Sequence, residues 1–187
     1  MSNFFDVLNE ELISFIEEQH MFFVSSACSD GRINLSPKGI EGLKVIDSQC
    51  VAYLDFTGSG NETAAHIKGD GRLTIMLCSF GEKPLILRMY GRGRIISQSS
   101  SDWAIFKESF NDNSWLRQFV VLDIESVQTS CGFGVPHYEY TSTRSDFDDI
   151  ASNIGNGMPE FIANYQKEKN KKSIDGFPTG IELNEKD

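Results

Sequence analysis

The sequence lacks both a long hydrophobic run and an excess of positive charge. No apolar stretch approaches the roughly 20 residues that cross a bilayer, and the N-terminus carries acidic residues where a secretion signal would be basic. The formal net charge is -10, from 17 basic and 27 acidic residues. This charge argues against an extended surface for nucleic acid or an anionic membrane. We therefore expect a cytoplasmic protein with neither of these partners.

The four cysteines are widely scattered, without a CxxC pair or a histidine at zinc-ligand spacing. Neither a metal site nor a disulfide framework is expected. Cys28, Cys50 and Cys78 lie in apolar runs, where cysteine behaves as a small buried hydrophobic residue. Cys131 lies among small residues and invites a catalytic interpretation. A nucleophilic thiolate needs a nearby base, however, and none of the three histidines has a spacing that proves such a pair.

The length and hydrophobic pattern predict one domain over residues 1–187, mainly β with peripheral helices. An antiparallel barrel and an open α+β sheet both fit this pattern. Apolar residues at intervals of three and four predict an N-terminal helix over 4–19 and a C-terminal helix over 159–171, the latter with Phe161, Ile162 and Tyr165 inward. Gly91 and Gly93 permit a bulge or a close backbone approach in a long strand. The other predicted helices are 62–67 and 101–110, and the predicted strands are 21–27, 32–36, 44–46, 50–55, 73–80, 85–97 and 119–129.

A glycine-rich loop leads from one strand into a helix, in the order Asp55-Phe-Thr57-Gly58-Ser59-Gly60-Asn61-Glu-Thr63. A helix start has unpaired N–H donors and a partial positive charge, which suit a phosphate. Asn61 and Thr63 can add side-chain donors, and Arg88 can add a guanidinium from a strand that could lie alongside. The alternative is a capped turn in which Asn61 serves only its own helix.

Two further segments could face a ligand. Arg32-Ile-Asn34-Leu-Ser36-Pro37-Lys38-Gly39 places an asparagine and a serine on one side of a strand, and we expect Pro37 and Gly39 to end that strand. The alternative is a plain strand terminus with a solvated lysine. Residues 128–136 are mostly small, so the backbone there can approach a flat ring closely. His66, a lone histidine on the helix after the glycine loop, is interpreted as a packing or helix-surface residue.

These segments, in this order, resemble the FMN-binding split-barrel superfamily named for pyridoxamine 5'-phosphate oxidase, and most closely a bacterial subgroup related to it. The resemblance covers nearly the whole chain. The matching stretches are FFVSSACSDGRINLSPKGIEGLKVID, VAYLDFTGSGNETAAHIKGDGRLTIML, LRMYGRGRI, VQTSCGFGVPHYEY and KNKKSIDGFPTG.

The resemblance implies a six-stranded antiparallel split β-barrel of the FMN-binding type, forming a homodimer with two FMN molecules at its interface. It implies that Asn61, Thr63 and Arg88 hold the phosphate, and that Ser130, Cys131 and Gly132 approach the flavin from either subunit. The candidates along the ring, the ribityl chain and the loop are Asn34, Ser36, Pro37, Lys38, Gly39, Asp55, Thr57 and Gly58.

The chain also departs from the oxidase proper. The oxidase carries an arginine-lysine pair where this chain has Glu62 and Thr63, and its substrate-anchoring lysine aligns with Gly39. Its C-terminal tryptophan and arginine have no equivalent after Gln128. The resemblance therefore implies an FMN-dependent oxidoreductase acting on a small molecule other than pyridoxamine phosphate, with NAD(P)H as a possible donor and no assigned catalytic side chain. The alternatives are a non-catalytic flavin or haem carrier and a dimeric scaffold without cofactor.

Overall fold

The structure is a computed structural model that describes residues 2–181 and 183, with Ile40 described by its backbone alone. Residues 1, 182 and 184–187 of the expected domain lie outside the described part. The strands are β1 (Ser2–Phe5), β2 (Met21–Ser26), β3 (Asn34–Gly39), β4 (Leu43–Asp47), β5 (Cys50–Phe56), β6 (Arg72–Cys78), β7 (Ile86–Ile96) and β8 (Leu116–Ser130). The helices are α1 (Glu10–Glu17), α2 (Glu62–Gly69), α3 (Trp103–Ser109), α4 (Asp146–Ile154) and α5 (Met158–Lys169).

All eight described strands form one antiparallel sheet that curls into a half-barrel, in the order β3-β2-β6-β7-β8-β5-β4, with β1 added on β8. The expected split-barrel architecture is confirmed, although the described strands number eight and not six. Alternate residues of the central strands, such as Phe22 and Val24 on β2, point into one buried core. Burial of each such side chain contributes about 1.5–3 kcal/mol. No helix in the described part of the chain is long and apolar enough to cross a membrane.

The close backbone approach predicted at the glycines of β7 is confirmed, and the bulge beside it lies in the partner strand β8, where Glu125 is the extra residue. The register between β7 and β8 shifts between Tyr90 and Gly91. A Cβ atom on Gly91 would lie 2.0 Å from the carbonyl oxygen of Asp123. Glycine is therefore required there, because no side chain fits between the two backbones.

The N-terminal helix prediction is wrong for the first residues of the chain. Ser2–Phe5 forms β1, and α1 begins only at Glu10, where Asn9 Oδ1 accepts from Leu12 N at 2.9 Å. β5 pairs with residues 116–123 of β8 and leaves residues 127–130 free on that edge. β1 pairs with this free stretch. The unpaired backbone of β8 therefore overrides the helical spacing of the first apolar residues.

Two other predictions need correction. β3 continues through Pro37 to Gly39 because it lies at the end of the sheet and pairs with β2 alone, and proline is tolerated on such an edge strand. In α5, the predicted inward position of Phe161 is wrong, because this side chain is exposed, whereas Ile162 and Tyr165 are half-buried on the same face as the buried Met158. α4 was not predicted.

Candidate functional site

The glycine-rich loop between β5 and α2 is covered by the chain's own C-terminal segment, defined here as residues 166–179. Thr57 is 1% exposed, and its Oγ1 accepts from Gln166 Nε2 at 2.7 Å. Asn170, fully buried, donates through Nδ2 to the carbonyl oxygen of Gly58 at 2.9 Å. The loop is thus held in one conformation by residues more than 100 positions away, which no local sequence signal linked to it.

Asn61 does not cap its own helix. The alternative of a capped turn, in which Asn61 serves only α2, is therefore wrong. Its Oδ1 accepts from Gln118 Nε2 at 2.9 Å, and its Nδ2 donates to the carbonyl oxygen of Asn170 at 3.4 Å. The Asn61 side chain makes no capping hydrogen bond to the backbone N–H groups at the start of α2. Both polar atoms of Asn61 therefore serve the protein interior, and its role as a phosphate ligand stays a prediction.

The start of α2 presents a row of free backbone donors. None of the N–H groups of residues 59–64 donates to another described residue of the chain. The first N–H groups of a helix have no intrahelical partner, and here no side chain replaces one. Such a row, together with the helix dipole, suits an anion. The predicted row of unpaired N–H donors is therefore present, and its binding of a phosphate stays a prediction.

A buried ion pair lies beneath the loop. Asp55 Oδ2 accepts from Arg117 Nε at 3.2 Å, from Arg117 Nη2 at 2.8 Å and from Gln118 Nε2 at 2.7 Å. Arg117 Nη1 also donates to the carbonyl oxygen of Gly60 at 2.9 Å. Lys38 Nζ approaches Asp55 Oδ1 at 3.7 Å. Sequence reasoning missed Arg117 and Gln118, although a charged residue at the start of an otherwise apolar strand is a signal for a buried partner.

The inner face of β3 carries the predicted polar residues. Asn34, Ser36 and Lys38 alternate along the strand and are half-buried, whereas Pro37 and Gly39 are exposed on the other side. Asn34 Nδ2 donates to Thr63 Oγ1 at 3.2 Å, which joins β3 to the first turn of α2. The placement of an asparagine and a serine on one side of this strand is confirmed, and Lys38 lies on that side with them.

Two titratable side chains are buried beside this face. Lys38 Nζ lies 5.3 Å from the ring centre of Tyr53. Burial, and secondarily the charge of Asp55, raise the pKa of Tyr53 well above its ordinary value, although the Thr63 hydroxyl opposes part of the shift. His66 is 1% exposed and bonds Ser26 Oγ through Nδ1 at 3.0 Å. His66 is therefore a packing residue and not a helix-surface residue, and these were the two roles that the sequence indicated.

The remaining candidates form a second group at the far end of β8. Arg88 Nη1 donates to Ser130 Oγ at 3.2 Å. Arg88 pairs with Gln128, whereas Asp55 pairs with Gln118, ten residues earlier on the same strand. Ten residues of strand span about 33 Å. One chain therefore does not bring Arg88 alongside the glycine loop.

The four cysteines are all free, and they differ in burial. Cys50 and Cys78 are buried as expected, and burial raises the pKa of both thiols, which keeps them unreactive. Cys28 is only half-buried, and Cys131 is exposed next to Gly132, whose φ of 68° is the left-handed conformation that favours glycine.

The sequence and the fold were compared with known proteins. The family model described as pyridoxamine 5'-phosphate oxidase matches residues 8–131. A curated relative, the pyridoxamine 5'-phosphate oxidase family protein ustO of Aspergillus flavus, is 36% identical over 198 residues, which cover 95% of this chain and 78% of that protein.

Solved structures share the fold at low sequence identity. A candidate pyridoxamine 5'-phosphate oxidase from Lactobacillus delbrueckii is 18% identical with a TM-score of 0.51, covering 66% of this chain and 94% of that one. A variant of HupZ from Group A Streptococcus is 18% identical with a TM-score of 0.50, covering 65% and 98%. The structure is a split barrel with a row of free donors at its glycine loop. The family match and the curated relative show that the chain belongs to the pyridoxamine 5'-phosphate oxidase family.

Proposed function

We propose that the protein binds FMN and acts as an FMN-dependent oxidoreductase on a small molecule other than pyridoxamine phosphate. The observation that carries the proposal is the row of free N–H groups at residues 59–64, in a loop whose conformation is fixed by buried contacts. A preformed row of donors binds a phosphate without reorganising. Family membership supports the same assignment.

The residues present fit the two ends of a flavin. The free N–H groups would take the phosphate, and the half-buried Asn34, Ser36 and Lys38 would face the ring and ribityl chain from β3. A bound flavin supplies the redox chemistry, whereas the protein supplies binding, orientation and charge. Lys38, held near Asp55, would place a positive charge beside the ring and favour its reduced, anionic form.

The proposed site needs a second copy of the chain. Arg88, Ser130, Cys131 and Gly132 lie at the opposite end of β8 from the loop, so they could contact the same flavin only from a partner subunit. The start of β3 supports an interface, because Leu35 on this strand and Ile33 just before it are 66% and 75% exposed. Exposed apolar clusters of this kind mark association surfaces.

The test is the absorbance spectrum of the protein as purified, followed by mass identification of any released ligand. We expect a yellow dimer with nearly one FMN per chain, bleached by dithionite or by NADH or NADPH. Protein that is colourless and gains no flavin absorbance after soaking with FMN would refute the proposal. Arg88→Ala should lower flavin content, and Lys83→Ala, at an exposed turn, is the matched control.

A non-catalytic flavin or haem carrier is the second candidate. It is favoured by the engagement of the carboxylate beneath the loop, because Asp55 already accepts hydrogen bonds from Arg117 and Gln118. Steady-state oxidation of NADH or NADPH with an added electron acceptor separates the two candidates. A carrier retains its ligand without sustained turnover.

A further inference from the structure

The contact between Lys38 and Asp55 spans the inside of the half-barrel. Lys38 lies on β3, at one end of the strand order, whereas Asp55 lies on β5, next to the other end. Among the described strands, β3 pairs with β2 and β5 pairs with β4 and β8, so no strand pairing joins β3 to β5. Side chains therefore bridge the two strands, and one bridge is the approach of Lys38 Nζ to Asp55 Oδ1 at 3.7 Å.

The two carboxylate oxygens of Asp55 have different partners. Oδ2 accepts three hydrogen bonds, two from Arg117 and one from Gln118. Oδ1 accepts no hydrogen bond within 3.5 Å from the residues that the structure describes, and it is the oxygen nearest to Lys38. Because a carboxylate is planar and rigid, the residues that hold Oδ2 also fix the direction of Oδ1.

A bulge in β8 makes this hold possible. Asp55 pairs with Gln118 and Phe56 pairs with Leu116, so Arg117 is an extra residue between the two pairs. Neighbouring residues of a regular strand point to opposite faces, but a bulge redirects a side chain. Here both neighbours donate to the same oxygen of Asp55. The orientation of this carboxylate is therefore fixed from two sides.

The Lys38 ammonium group has few acceptors of its own. Its side chain is only 24% exposed, and Nζ makes no hydrogen bond within 3.5 Å to a residue in the described ranges. Its neighbours are Asp55 Oδ1 and the ring of Tyr53, whose centre lies 5.3 Å from Nζ. Burial raises the pKa of Tyr53, so this ring is neutral near pH 7 and offers a face but no counter-charge. The three N–H donors of Lys38 are thus free for a ligand.

The charges of this group do not cancel. Two cations, Arg117 and Lys38, share the one carboxylate of Asp55, which leaves one positive charge in excess. The side chains of Arg117 and Asp55 are 4% and 6% exposed and bind each other, so the excess lies at the more exposed Lys38. A partly desolvated charge acts more strongly on nearby charge than one in water does.

We propose that Asp55, held by Arg117 and Gln118, is a positioning residue that directs the Lys38 ammonium group at the flavin ring and thereby sets how strongly the site prefers reduced over oxidised flavin. This role rests on the proposed function and adds to it the residues behind Lys38. The ring of oxidised flavin is neutral and that of reduced flavin is anionic, so a fixed ammonium group favours the reduced form. Gln118 is 3% exposed, so it acts on a ligand through other residues.

The direct test is the reduction potential of the FMN-loaded protein, measured by dithionite titration against reference dyes. We expect Lys38→Met to reduce the preference for reduced FMN about tenfold, a fall of about 30 mV for a two-electron couple. Gln118→Met should lower the potential in the same direction although it removes no charge. Lys44→Met is the matched control, because Lys44 Nζ also lies 5.3 Å from a ring centre, that of Phe110, but has no partner at this site.

A double variant shows whether Gln118 acts through Lys38. Gln118 also donates to Asn61, so the effect of Gln118→Met alone has two possible routes. We expect Gln118→Met to shift the potential of the original protein but not that of Lys38→Met. Equal shifts in both backgrounds would refute the positioning role. Lys38→Arg should retain the preference for reduced FMN, because it keeps the positive charge.

The position of Lys38 can be measured without flavin, by nuclear magnetic resonance of the flavin-free protein. The ring current of Tyr53 shifts the signals of protons over its face, so the signal of the Lys38 ε-methylene protons reports this contact. We expect Gln118→Met to move that signal toward those of exposed lysines. Gln19→Met, which removes another buried glutamine bonded at 2.9 Å, should leave it in place. An unaltered Lys38 signal in Gln118→Met overturns the positioning role.

These measurements separate the two proposals. A protein that takes up no FMN refutes the proposed function and this role with it. A protein that binds FMN with the same potential in Gln118→Met as in the original refutes this role alone. Melting temperatures show whether each variant is folded. If Gln118→Met does not fold, Asp55→Asn replaces it in the flavin-free measurement, and an unchanged Lys38 signal there also overturns the role.

Discussion

Replacing Arg117 by methionine tests whether the buried ion pair holds the glycine loop. Methionine keeps most of the side-chain volume but removes two hydrogen bonds to Asp55 and one to the Gly60 carbonyl oxygen. Breaking a buried pair from one side costs about 3–5 kcal/mol, because the other charge remains buried. Asp55 keeps Gln118 at 2.7 Å and Lys38 at 3.7 Å, so we expect Arg117→Met to cost about 3 kcal/mol, at the lower end of that range.

The assay is urea denaturation of flavin-free protein, since a bound ligand would add to the apparent stability. Arg94→Met is the matched control. Arg94 forms an ion pair with Asp123 at 3.0 Å, but the two side chains are 41% and 51% exposed, and exposed pairs contribute about 0–1 kcal/mol. In the double variant with Asp55→Asn the loss should be smaller than the sum of the single losses, because neither charge is left unpaired. If Arg117→Met lowers the free energy of unfolding no more than Arg94→Met does, the reasoning is refuted.

Three other changes test the fold and the loop. Gly91→Ala should lower the melting temperature strongly, because its Cβ would lie 2.0 Å from the carbonyl oxygen of Asp123. Gly134→Ala is the control and should leave the melting temperature unchanged, because a Cβ there would meet no atom within 4 Å. Similar losses in both variants would contradict the close approach of β7 and β8. Asn170→Ala leaves the Gly58 carbonyl oxygen without its donor, so the free energy of unfolding should fall by about 1–3 kcal/mol, and an unaltered denaturation midpoint would show that the segment does not hold the loop. The pKa of Tyr53 is raised in the folded state, so its contribution to stability is present below pH 10.0 and is lost as the pH rises above that value. Tyr53→Phe should therefore reduce the fall in the free energy of unfolding at alkaline pH. Parallel curves of this free energy against pH for the two proteins would contradict the raised pKa.

The sequence by itself determined the repeating local features of this protein. The strand at Met21–Ser26 follows from its apolar, β-prone residues alone, and the glycines of β7, the glycine loop and the helix after it are also readable from residue types and order. The polar side of β3 was also readable, because side chains two residues apart lie on the same face of a strand.

Only the tertiary structure decided which distant groups meet. The C-terminal segment reaches the glycine loop across more than 100 residues, and Arg117 finds Asp55 across 62. No local pattern encodes such contacts, because they depend on which strand edges are free and which buried charges need partners. The same limit explains β1: its apolar spacing suited a helix, but the open stretch of β8 required a strand. The separation of Arg88 from the loop likewise follows from strand register, which residue types alone do not specify.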